Sequence, residues 1–118
     1  MGLHCSDAAY ELLSDYVPDA QCALYACYFL VKAWEHAVAS VFPTDCDAVY
    51  WVAKGLHPDA DVEELRPLKE QIRASGFLSQ LVESSKPLLR VQPARVREYR
   101  LTPLGEELAK RLQGMMEC

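Results

Sequence analysis

The chain has 118 residues, 51% hydrophobic and 25% charged, with a net charge of −5. That is one domain large enough to bury a core without staples, and its composition argues against a low-complexity chain. Five cysteines with no even pairing, no Cys-x-x-Cys and no zinc-ligand spacing argue against a disulfide framework or a structural zinc site.

The charge is unevenly spread. Residues 1–64 hold two lysines, Lys32 and Lys54, against eleven carboxylates, a balance of −9, whereas residues 65–118 hold ten Lys and Arg against six carboxylates, a balance of +4. A polyanion is drawn to the second half and repelled by the first. The first residues, Met1-Gly2-Leu3-His4-Cys5-Ser6, lack a basic region followed by an apolar run. No secretory signal is expected, and the expected location is the cytoplasm.

Residues 6–16 read as a first helix, with Ser6 as cap, Ala9, Leu12, Leu13 and Tyr16 on one face, and Pro18 as stop. Asp19 can cap a longer helix over residues 19–42 that is apolar almost all the way round. Such a helix must be covered on every side. A second copy is the expected cover, through Leu24, Tyr28, Val31, Trp34 and Val38; a central helix within one chain is the alternative. Lys32, Glu35 and His36 interrupt the apolar run, so it leaves about 12 uncharged residues where a membrane span needs roughly 20. No membrane partner is expected.

Thr44 or Asp45 caps a third helix carrying Val49, Trp51, Val52 and Leu56, and a turn follows at residues 56–60. Asp61 with Glu64 three residues later forms a capping box for a helix over residues 61–75, whose expected buried face is Val62, Leu65, Leu68 and Ile72. Pro67 removes an internal hydrogen bond and disfavours helical geometry at Arg66, so this helix is expected either to kink there or to divide in two. Phe77, Leu78, Leu81 and Val82 give a weak strand pattern over residues 77–83. Residues 88–91 and 96–101 read as paired strands, and Lys86, Arg90, Arg95, Arg97 and Arg100 make this the most basic region. Thr102 as cap, Pro103 at the first helical position and Leu104, Leu108 and Leu112 on one stripe predict a closing helix over residues 102–114.

The segment Tyr99-Arg100-Leu101-Thr102-Pro103-Leu104-Gly105 resembles the end of the wing and start of the last helix in winged-helix regulators of the MarR and PadR type. Ile72-Arg73-Ala74-Ser75-Gly76-Phe77-Leu78 resembles the end of their recognition helix, where a Gly turns the chain into the wing. The resemblance covers roughly the second half of the chain. It implies an α+β winged helix-turn-helix of about five helices with a small antiparallel β-hairpin wing, the helix-turn-helix and wing lying in residues 44–101. It implies a homodimeric transcriptional regulator bound to double-stranded DNA, with Arg66, Lys69, Gln71 and Arg73 contacting bases or backbone and Lys86, Arg90, Arg95 and Arg97 gripping phosphates. The same string also resembles the winged-helix dimerisation region of small-molecule O-methyltransferases, which does not read DNA.

Glu63, Glu64, Glu70 and Pro67 oppose a DNA role for helix 61–75, because carboxylates there face phosphates. They motivate the alternative, a winged helix used for protein–protein contact as an adaptor or a phage- or virus-encoded inhibitor. No Gly-rich phosphate loop and no Gly-x-Ser-x-Gly elbow is present, so no enzyme and no cofactor is expected. His4, Cys5, Cys22, Cys27, His36 and Cys46 are scattered, and no metal site is expected; Cys22 and Cys27 read as buried thiols. Tyr25, Tyr28, Phe29, Trp34, Tyr50 and Trp51 could line an effector pocket, although aromatics at helical spacing more often form core.

Overall fold

The computed structural model describes residues 7–36, 45–92 and 98–115. Helices α1 (Asp7–Leu13), α2 (Ala20–His36), α3 (Asp45–Leu56), α4 (Val62–Ser75) and α5 (Phe77–Glu83) precede strands β1 (Leu89–Gln92) and β2 (Glu98–Leu101), and α6 (Pro103–Met115) follows. The class is α+β, with six helices and one two-stranded antiparallel sheet among the described residues.

Asp19 caps α2: its carboxylate accepts the Cys22 N–H at 2.7 Å. From there α2 packs against α1, α3, α5 and α6. Its residues Ala26, Cys27, Phe29, Leu30 and Ala33 are completely buried by this one chain. Phe29 is the hub of the core. Its ring stacks on Trp51 at 6.2 Å between centroids and meets Phe77 and Tyr99 edge-on at 6.0 and 6.5 Å. These are favoured aromatic geometries, and they tie α2 to α3, α5 and β2. Tyr25, also buried, meets Phe77 edge-on at 5.9 Å. Tyr25, Tyr28 and Phe29 thus serve as core.

The element expected at residues 77–83 changes here. Residues 77–83 are helix α5, not strand. Gly76 ends α4 in the left-handed region, at φ 69°, and the Gln80 N–H then donates to its carbonyl at 3.1 Å to start α5. The glycine therefore turns the chain into another helix, and the hairpin starts only at Leu89. Of the two outcomes expected at Pro67, division is not seen: α4 is one helix from Val62 to Ser75, with Pro67 exposed on it. Its start is the capping box expected: Asp61 accepts the Glu64 N–H at 2.9 Å and Glu64 accepts the Asp61 N–H at 3.4 Å. Its buried residues are Leu65 and Ile72, whereas Val62, expected on that face, is 66% exposed.

The hairpin and α6 are joined through Thr102. Its hydroxyl donates to the Pro87 carbonyl at 2.7 Å and accepts the Gly105 N–H at 3.1 Å. One side chain thus caps α6 and pins the segment before β1. A β-carbon on Gly105 would land on the Leu88 carbonyl oxygen, so only glycine lets α6 approach β1 this closely.

Candidate nucleic-acid interface

At 100° per residue, Arg66, Lys69 and Arg73 fall within an arc of about 60° on one shoulder of α4. Arg66 and Arg73 are exposed there, and the Lys69 ammonium lies 5.9 Å from the ring centroid of Tyr50 on α3. That places the cationic shoulder on the side of α4 next to α3. Val62 falls on the same stripe, and Tyr50 and Val62 are the large hydrophobic residues exposed among the described ones. Gln71 does not join this set. It lies about 140° round the helix from Arg66, on the opposite shoulder.

The outward ridge between the shoulders carries Glu63 and Glu70. Arg66 donates to Glu63 and Arg73 to Glu70, each at 3.0 Å. Both pairs are solvent-exposed and spaced i, i+3, where such pairs add only a few tenths of a kcal/mol. Their electrostatic consequence is larger than their energy: with Glu64 they leave α4 with three carboxylates against three cations, a helix of no net charge.

The hairpin is different. Its register sets Leu89 opposite Leu101, Arg90 opposite Arg100 and Val91 opposite Tyr99. Alternation then sorts the faces: Leu89, Leu101 and Tyr99 are buried, and Arg90 and Arg100 are exposed. Lys86, also exposed, stands before β1. Arg100 was absent from the phosphate-gripping set inferred above. The signal for it is the alternation of residues 98–101, which puts Arg100 on the solvent face once Tyr99 and Leu101 are assigned to the core. Arg95 and Arg97 lie outside the described residues.

Of the residues expected to meet a second copy, Tyr28 and Val31 are buried by their own chain, at 6% and 3% exposure, and Leu24 is half-buried. Trp34 is half-buried too, with the Lys110 ammonium of α6 at 5.1 Å from its ring centroid. Val38 lies outside the described residues. The cover that α2 requires is thus largely supplied from within the chain.

No polar or charged residue is buried among the described ones, and no group of His, Cys, Asp and Glu there could hold a metal ion. Cys22 and Cys27 are buried thiols, neither in a disulfide. Burial, with the Asp19 carboxylate second, pushes the Cys22 thiol above its ordinary range, so it is a poor nucleophile at neutral pH. No described helix is long and apolar enough to cross a membrane.

No protein-family model, curated protein or solved structure matches the chain.

Proposed function

We propose that this chain is a winged-helix regulator that binds double-stranded DNA, chiefly by gripping phosphates with its hairpin. The observation that carries this reading is the Arg90–Arg100 pair: two cations held opposite each other on the solvent face, with Lys86 beside them. A polyanion lying across the strands meets both guanidinium groups at once. The shoulder of Arg66, Lys69 and Arg73 supplies a second set of contacts, and Tyr50 and Val62 supply apolar surface for sugar or thymine methyl groups.

The test is fluorescence anisotropy with a labelled duplex across a salt series. Binding should weaken linearly in log–log form as salt rises, and Arg90→Ala or Arg100→Ala should each reduce the slope by about 1. No binding at low salt, or binding without a salt slope, overturns the reading.

One observation favours a second reading, the protein–protein module: Glu63 and Glu70 neutralise the arginines of the helix that would enter the groove. On that reading the same titration shows no duplex binding.

A further inference from the structure

We propose that the groove between α1 and α6 docks a basic amphipathic helix of a partner protein. The groove holds about 440 Å³, and two helical stripes form its walls. On the α1 side, Leu12 and Tyr16 stand four residues apart, and so do Glu11 and Asp15. The Ser14 and Val17 N–H groups donate to the Tyr10 and Leu13 carbonyls at 2.9 and 3.2 Å, which carries the helical phase past the end of α1. On the α6 side, Leu104, Arg111 and Met115 follow one stripe, with Glu107 beside it.

The floor is apolar and the rim is acidic. Leu12, Tyr16, Leu104 and Met115 are half-buried, so each still offers surface to a partner. Glu11, Asp15 and Glu107 stand exposed around them, three carboxylates against the single guanidinium of Arg111. None of these four charged groups is in an ion pair among the described residues, unlike Glu63 and Glu70 of α4, which their arginines hold. The rim therefore keeps its negative field for an incoming cation.

Shape and charge together decide the occupant. From Leu104 to Met115 the α6 wall runs about 16 Å, or three turns. A helix of that length laid between the two stripes sets apolar anchors at i, i+3, i+4 and i+7 on the floor and its Lys or Arg side chains on the rim. A second copy docked groove to groove opposes one carboxylate excess with another, and duplex phosphates are repelled by the same groups. The groove shares no cation with the phosphate grip of the hairpin, so it stands or falls apart from duplex binding.

The experiment titrates the full chain with a fluorescein-labelled fourteen-residue peptide that repeats Leu at every third or fourth position with Lys and Ala between. Its controls are a scrambled peptide of the same composition and a counterpart with Glu for Lys. The patterned basic peptide should bind saturably, and both controls should bind at least about tenfold more weakly. Backbone amide NMR shifts should change along α1 and α6 and not in the hairpin. Glu11→Lys with Glu107→Lys reverses two exposed charges and should weaken the peptide by at least about tenfold. Arg111→Glu should tighten it by about threefold or more, a gain that loss of folding does not produce. No saturable binding, equal binding of the scrambled peptide, shift changes confined to other elements, or unchanged affinity in either variant overturns the proposal. So do shifts along α1 and α6 that grow with protein concentration alone, which assign the groove to a second copy, or that follow added duplex, which assign it to nucleic acid.

Discussion

At Gly105 the first turn of α6 lies against the backbone of Leu88, and this one residue sets the distance between helix and hairpin. A methyl group there meets a carbonyl oxygen, not the yielding end of a side chain, so the clash is relieved only by moving α6. Gly105→Ala should cost about 1–3 kcal/mol in urea unfolding, the usual range for overpacking. Thr102→Ser, which keeps the hydroxyl, should lose far less. If Gly105→Ala proves as stable as the parent chain, the close approach of α6 and β1 is not what the fold depends on. The two residues differ in how far they could be read from sequence. Thr102 and Pro103 announce a helix start through local chemistry that acts within three residues. The need for glycine at 105 arises from contact with a residue 17 positions earlier, and no local pattern encodes it. Cys22 and Cys27 were legible as buried thiols because their neighbours on α2 are apolar on every side.

Among the elements, the capped start of α4 and the alternating hairpin were legible, and α5 was not. Phe77, Leu78, Leu81 and Val82 repeat at a spacing of four, which is a helical signal. Seven residues are too few for that signal to outweigh an apolar run, and tertiary contacts settle it: Phe77 and Leu81 both point into the core beside Phe29 and Tyr25. Pro67, expected to kink or divide α4, does not divide it. It sits on the exposed side, where the carbonyl of Glu63 that loses its helical donor can turn to water, so α4 continues. The charge on α4 carries the prediction at this scale. Glu63→Gln with Glu70→Gln leaves the capping box intact and removes the two carboxylate charges paired with Arg66 and Arg73. Duplex affinity at low salt should rise by roughly three- to tenfold, because two like-charged groups no longer face the phosphates. Anisotropy titration checks this. An unchanged affinity removes α4 from the interface and leaves the hairpin as the only phosphate grip.

For the whole molecule, the question posed by α2 was what covers a helix that is apolar on all sides. Helices α1, α3, α5 and α6 of the same chain cover most of it, because small residues let neighbours come close. Ala26 and Ala33 on α2 are fully buried, and Gly55 of α3 faces the ring of Tyr28, where a β-carbon would stand 2.8 Å from its Cδ1. Tyr28 thereby becomes an internal residue, although its place on the helix wheel also suits a dimer face. The two roles differ in a measurable way. If Tyr28 is part of a single-chain core, Tyr28→Ala should cost about 3 kcal/mol, and the unfolding midpoint of both parent and variant should not move with protein concentration. A midpoint that rises with concentration in the parent and ceases to do so in the variant would return Tyr28 to an interface between two copies. The distinction bears on recognition as well. A single chain presents one hairpin and so one short patch of phosphate contacts, which predicts a shallow salt slope of only a few units; a pair of chains would present two hairpins and roughly double it.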